Sequence, residues 1–306
     1  MNDCVTASVQ LEKFAEELNL EIVFRGREVV TLSSMSVERP GLQLAGFFDY
    51  FDSRRIIVLG LTEHEYLRTF TSKERQEKIS RLFSYGEIPC IILSRNLEAP
   101  EELLAEAKSA NCPVFRSPKI TTDLMSDLYI YVNRQLAPST SVHGGLMEVF
   151  GVGILLVGQS GVGKSETAME LIKRGHRLIA DDNVILKEIA HELTGTAPEA
   201  IRHFMELRGI GIINVRNMYG SGSILDEKTV QLVIELEHWQ RDKSYARIGD
   251  EEQTAEYLGV KLPKLTIPVS PGRNLAIIIE VAARNYRLKS MGYDASEELI
   301  SRSLGR

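Results

Sequence analysis

Apolar positions change period several times along the first third of the chain. Leu11, Phe14, Ala15 and Leu18 recur at helical spacing, and the run LEIVF follows at 20–24, which predicts a helix and then a strand. Three short runs rich in β-branched residues, RIIVLGL (55–61), PCIILS (89–94) and CPVFRS (112–117), read as further strands. Between them lie helix-like stretches at 62–84 and 100–110. Strands alternating with helices predict a small N-terminal α/β domain, residues 1–133, with a mostly parallel sheet.

The periodicity lapses where Pro, Ser, Thr and Gly cluster in VNRQLAPSTSVHGG, so residues 134–141 are expected to be a linker. A second domain, 142–306, follows. Its run VFGVGILLVG (149–158) predicts a strand, and KSETAMELIKRG (164–175) predicts a helix ended by Gly175. The final segment, from Gly272 onward, reads as one or two helices after a glycine turn, with Arg284, Arg287 and Lys289 on a cationic stretch. A solvated helix face is the plain reading of those charges.

Composition narrows the picture. In 306 residues the formal net charge is −6, which gives no electrostatic reason to expect nucleic acid or an anionic membrane as a partner. Three cysteines, Cys4, Cys90 and Cys112, are odd in number and lack C-x-x-C spacing, arguing against a disulfide framework or a structural zinc site. A reducing, cytoplasmic setting is expected. The most apolar run, LAIIIEVAA, is interrupted by Glu280 and is too short to span a membrane.

Chemistry concentrates in the second domain. GQSGVGKS (158–165) fits G-x-x-x-x-G-K-[ST], and the predicted strand before it and helix after it supply the context that a phosphate loop requires. Backbone N–H groups of Gly158, Gln159, Ser160, Gly161, Val162 and Gly163 are expected to cradle phosphate oxygens. Lys164 would neutralise charge there, and Ser165 would bind Mg²⁺. One helix later, HRLIADDNVIL delivers Asp181 and Asp182 from a strand. Such a pair divides metal organisation and proton acceptance between its members, in either order. In MELRGIGIINVRNMYG (205–220), Glu206 is a further candidate metal ligand, and Arg208 sets a cation beside the flexible Gly209 and Gly211; the same letters also suit a surface strand with a glycine bulge. Alone, His143 before Gly144 and Gly145 reads as polar surface.

Taken in order, HGGLMEVFGVGILLVGQSGVGKSETAMELIKRGHRLIADDNV, MELRGIGIINV, YARIG and PVSPGRN resemble the bacterial HPr kinase/phosphorylase family. The resemblance is dense over 143–273, while the N-terminal part matches only in size and α/β pattern. It implies a P-loop kinase domain of the phosphoenolpyruvate carboxykinase type, and two reactions. One is phosphorylation of a seryl residue of the phosphocarrier protein HPr by ATP or pyrophosphate; the other is phosphorolysis by inorganic phosphate, giving pyrophosphate. It also implies Mg²⁺, a homohexamer, and a regulator of carbon catabolite repression and sugar uptake.

By motif position the resemblance implies His143, Lys164 and Arg247 as active-site residues, Asp182 as proton acceptor, and Ser165 and Glu206 as metal ligands. The segment containing Arg208, Gly209 and Gly211 would serve both reactions. Residues Pro268, Pro271, Gly272 and Arg273 would serve dephosphorylation in particular. Gln159 and Ser270 depart from the Asp and Lys familiar at those positions. Two rival readings remain at this point, a small-molecule P-loop kinase and a nucleotide-gated regulatory module without transfer activity.

Overall fold

The apolar runs divide between two packed units, Met1–Ala137 and Pro138–Arg306, in a computed structural model that describes residues 6–240, 253–270 and 272–303. Arg247, Pro271 and Cys4 lie outside the described residues.

The first unit begins β1 (Ala7–Gln10), α1 (Leu11–Glu17), β2 (Glu21–Phe24), β3 (Val29–Leu32), β4 (Val37–Glu38), α2 (Gly41–Leu44) and β5 (Ile56–Leu59). It continues α3 (Leu61–Arg68), α4 (Ser72–Phe83), β6 (Ile91–Leu93), α5 (Glu101–Ser109), β7 (Val114–Arg116) and α6 (Thr121–Leu136). Its main sheet runs β2-β7-β6-β5-β4, with β4 to β7 mutually parallel and β2 an antiparallel edge; β1 and β3 form a separate pair. The parallel strands are buried on both faces and so read as continuous apolar runs. The stretch 62–84 holds two helices because Thr71 accepts from the backbone N–H of Glu74 while the Glu74 carboxylate accepts from Thr71, a capping box that starts α4 afresh. Cys90 and Cys112 are buried free thiols, and burial pushes the Cys112 thiol up to about 12, which leaves it unreactive.

The second unit contains β8 (Ser139–His143), β9 (Gly145–Val149), β10 (Val152–Gly158), α7 (Lys164–Lys173), β11 (Arg177–Ala180), β12 (Asn183–Ile189), β13 (Glu192–Thr196), β14 (Phe204–Leu207) and β15 (Gly211–Asn214). After these come α8 (Val215–Tyr219), β16 (Glu227–Thr229), β17 (Leu232–His238), β18 (Thr254–Tyr257), β19 (Val260–Val269), α9 (Leu275–Ser290) and α10 (Ala295–Ser303). Residues 134–141, expected to be a linker, do contain the boundary between the units, but regular structure reaches almost to it from both sides, in the last turn of α6 and the first part of β8; the Pro/Ser/Thr composition that suggested a loop suits an edge strand equally well. The run at 149–158 is likewise not one strand, because Phe150 and Gly151 turn β9 into β10.

A six-stranded mixed sheet, β11-β9-β10-β17-β19-β18, carries the unit. Alternation sends Met147, Ile154, Leu156, Ile234 and Leu236 to one face, against Ala168, Leu171 and Ile172 of α7 and Ile279 and Ala283 of α9. Leu146, Leu155 and Val233 point the other way, onto Val184, Leu186 and Leu193 of a four-stranded antiparallel sheet, β16-β13-β12-β8. The two sheets approach closely at Gly195, where a Cβ would stand 2.4 Å from Leu146 Cδ2. Each fully buried aliphatic side chain in these layers stabilises the fold by about 1.5–3 kcal/mol. Glu280 fastens α9 to the end of α7, accepting two bonds from Arg174 at 2.9 and 2.7 Å and facing His176 Nε2 at 2.9 Å. These partners, Arg174 first, hold the Glu280 carboxyl at about 2.

Candidate functional site

At the C-terminal end of β10 the chain leaves the central sheet and turns into α7 through residues 159–163. Gly158 has φ +141°, and a Cβ there would meet the Leu236 carbonyl oxygen at 2.2 Å, so only glycine lets the loop start beside β17. Val162 is buried and anchors the loop in the core, leaving Ser160, Gly161 and Gly163 on the cleft. Gly163, with φ +99°, caps α7, so the helix opens with its unpaired N–H groups toward the cleft.

Lys164 is the first residue of α7 and 8% exposed. Its Nζ donates to the carbonyls of Gly158 and Gln159 at 2.9 and 3.0 Å, which keeps the ammonium at the loop mouth. Burial lowers its pKa, Asp181 and Asp182 act in the opposite sense, and the nearby Arg208 lowers it further. Ser165 Oγ donates to Asp181 Oδ1 at 3.1 Å. Asp181 is 5% exposed, and its Oδ2 is buried with no hydrogen-bond partner among the described residues. Burial is the main cause that raises its pKa, held back by the Ser165 hydroxyl and backbone N–H groups.

Asp182 faces outward. Its backbone is left-handed, φ +67°, its carbonyl accepts from the Gly144 N–H at 3.0 Å, and its Oδ1 lies 3.2 Å from His143 Nδ1. β12 starts at the next residue, and Asn183 pairs directly with His143 on β8, so strand register itself brings the histidine to the aspartate. Adjacent acids thus receive opposite environments, one buried against Ser165 and one exposed beside His143.

The remaining wall is the β14–β15 hairpin. Glu206 on β14 and Arg208 in its turn line the same polar cleft as His143, Lys164, Ser165 and the two aspartates, a volume of about 150 Å³. The Arg208 guanidinium lies over the loop, with Nη2 3.4 Å from Ser160 Oγ and Nη1 2.8 Å from where a Cβ on Gly161 would stand. Gly209 and Gly211 carry the positive φ angles that fold this turn.

Not every expected residue converges here. Pro268, Ser270 and Arg273 line a separate groove with Trp239, Ile278 and Val281, and Arg273 donates to the Pro268 carbonyl at 3.2 Å. Asp181 beside Ser165 was reached from the sequence only as half of an undivided acid pair, and Glu166, which also lines the cleft, was missed. Glu166 follows the loop serine directly, the one signal that could have found it.

A strand, a glycine turn and a helix N-terminus, with cations and carboxylates gathered round one cleft, define an α/β protein built to hold an anionic group and move a proton beside it. The chain belongs to the HPr serine kinase family. Residues 9–132 match the model of the HPr Serine kinase N terminus, and residues 134–303 match that of the HPr Serine kinase C-terminal domain. It is 50% identical over 297 residues to an HPr kinase/phosphorylase of Alkaliphilus metalliredigens, covering 96% of each chain. Identity is 47% over 293 residues to the HPr kinase/phosphorylase of Caldicellulosiruptor bescii, covering 95% of this chain and 94% of the relative. Among solved structures, the Hpr(Ser) kinase/phosphatase from Coxiella burnetii is 34% identical, with a TM-score of 0.48 over 52% of this chain and 98% of that one. Both curated relatives are named for action on HPr.

Proposed function

We propose that this chain transfers a phosphoryl group from ATP to a seryl hydroxyl of HPr and removes it by phosphorolysis, with both reactions in the cleft of Lys164, Asp182 and Arg208. One observation carries the reading: an exposed carboxylate, Asp182, is held by His143 at the rim of a glycine loop that Lys164 and Arg208 make cationic. In the forward direction Asp182 takes the seryl proton as that oxygen attacks the γ-phosphorus, and ADP leaves. His143 fixes the acceptor's orientation, while Lys164 and Arg208 stabilise charge on the transferring group. In reverse, inorganic phosphate attacks the seryl phosphorus, Asp182 returns the proton to the departing seryl oxygen, and pyrophosphate forms. Pyrophosphate as a forward donor follows from the same reversibility.

The residues fit a magnesium ion. The buried, unpartnered Oδ2 of Asp181 beside the Ser165 hydroxyl is a hard-oxygen pair, and no group of three acidic, histidine or cysteine side chains among the described residues forms an all-protein cage. That suits a cation completed by phosphate oxygens and water. Bound there, Mg²⁺ would neutralise charge on the phosphates; Ser165 and Asp181 would hold it, with Glu206 on the facing wall. Arg247 as a further active-site cation, 268–273 in dephosphorylation, a homohexamer and a cytoplasmic setting complete the proposal on family resemblance. No helix among the described residues is long and apolar enough to cross a membrane.

Intact-mass analysis of purified HPr incubated with this chain and Mg-ATP tests the reading. The expected result is one added phosphoryl group on a serine, lost with pyrophosphate release when nucleotide is replaced by phosphate. Unchanged HPr mass would overturn it.

A further inference from the structure

Four strands of the central sheet end on one edge. β10 runs parallel to β17 and β17 to β19, while β11 is antiparallel to β9 and β9 to β10, which turns β11 the same way as β10. Along that edge, in sheet order, come Asp181 and Asp182 after β11, the phosphate loop after β10, Trp239 after β17, and Ser270 and Arg273 after β19. Ligands of open α/β sheets bind outside the carboxyl ends of the strands. The register sets Gly158 beside Leu236 and Leu236 beside Ile267, so the end of β19 stands two strand spacings, about 10 Å, from the start of the loop.

Beyond β17 and β19 the edge opens into a cavity of about 870 Å³, within the range of small-molecule sites, with Trp239, Leu265, Pro268, Arg273, Val281 and Asn285 in its lining. The Trp239 N–H donates to the Val269 carbonyl at 3.1 Å, which fixes the residue against the end of β19 and leaves it half exposed. Arg273 donates to the Pro268 carbonyl at 3.2 Å, which keeps its guanidinium at the same end. An indole face, aliphatic walls from β19 and α9, one amide and one cation suit a planar heteroaromatic ring that carries an anionic tail.

In-line transfer puts the attacking and the leaving oxygen on opposite sides of the phosphorus. His143 and Asp182 mark the attacking side, on the β11 flank of the loop. The leaving nucleotide then extends from the loop toward β17 and β19, where the cavity lies. Resting on the phosphoryl-transfer reading above, we propose that this cavity is the nucleoside subsite of the donor. Trp239 stacks on the purine, Asn285 meets its polar edge, and Arg273 faces the ribose and the α-phosphate. Pyrophosphate and inorganic phosphate carry no base, so they occupy the loop and make no use of the cavity.

Titration calorimetry on the full chain, with Mg-ADP and separately with magnesium pyrophosphate, tests the proposal in wild type, Trp239→Ser, Trp239→Phe and Val281→Glu, alongside sedimentation mass. Trp239→Ser should weaken ADP binding about tenfold, the scale of losing one stack between a base and an aromatic ring. Val281→Glu, at an exposed helix position on the cavity wall, should weaken ADP as well, and it decides the case if the serine variant does not fold. Trp239→Phe should stay near wild type, and pyrophosphate affinity and mass should hold throughout. Unchanged ADP affinity in the folded variants, pyrophosphate weakened in step with ADP, or a changed mass with ADP affinity intact would overturn the subsite, the last assigning the groove to a second copy of this chain. ADP affinity lost in the variants of a wild type that leaves HPr unphosphorylated would keep the subsite and sink the seryl-transfer reading.

Discussion

His143 Nδ1 stands 3.2 Å from Asp182 Oδ1, across the first rung of the β8–β12 pairing. Both side chains are more than half exposed, so the contact adds little stability and its value is directional. Asp182→Asn should keep nucleotide affinity while slowing seryl transfer by about 10²–10⁴-fold, the usual worth of a general base. Equilibrium nucleotide binding set beside single-turnover transfer separates the two effects. Transfer at the wild-type rate would remove Asp182 as the proton acceptor.

Lys164→Ala should cost both directions about 10²–10³-fold, as removal of one preorganised charge stabiliser does. The fold should survive, because the Lys164 ammonium bonds only to loop carbonyls. Pyrophosphate release in the reverse reaction and ADP release in the forward one would be followed together, and loss of only one would contradict a shared cleft.

Asp181→Asn separates metal holding from proton transfer. The expected outcome is a Mg²⁺ requirement raised at least tenfold, of the order seen when ligands or their supports are lost, with no shift in the seryl proton step at saturating metal. Titrating Mg²⁺ at fixed ATP reads this directly; an unshifted requirement would leave Ser165 and Glu206 as the pair.

Acid stability should report the α7–α9 fastening. Glu280 has its folded pKa depressed from 4.5 to about 2, chiefly by Arg174 and then His176. A depressed carboxylate contributes stability that is present above its unfolded pKa and is lost as pH falls through the folded one. Glu280→Gln should therefore lower the melting temperature at neutral pH and lessen the decline between pH 4.5 and about 2. Melting curves that keep the wild-type acid decline would refute the assignment.

Strand, glycine loop and helix at 152–175 were legible because glycine spacing and helical period are local properties, whereas the turn at Phe150 and Gly151 was not. Also legible were the parallel strands at 56–59, 91–93 and 114–116, whose apolar runs are unbroken. The division of labour between Asp181 and Asp182 was not, since two identical neighbours differ only through what the fold sets against them: Ser165 from α7 on one side, His143 from β8 on the other. The position of Arg208 over Ser160 depends on a hairpin returning across 48 residues of chain, which no local pattern encodes. The boundary at 134–141 was legible in composition, but the strand within it was not, because β8 is defined by its partner β12 and by little in its own letters.

That pairing has a bearing on how the chain can be divided. Pro138 already belongs to the second unit, with its carbonyl accepting from the Glu188 N–H at 3.0 Å, and β8 supplies the edge of the four-stranded sheet. A shortened gene opening at Gly144 would discard both an edge strand and the histidine that steers Asp182. One opening at Pro138 would inherit the whole catalytic wall, so the natural place to sever the two halves is the single peptide bond between Ala137 and Pro138.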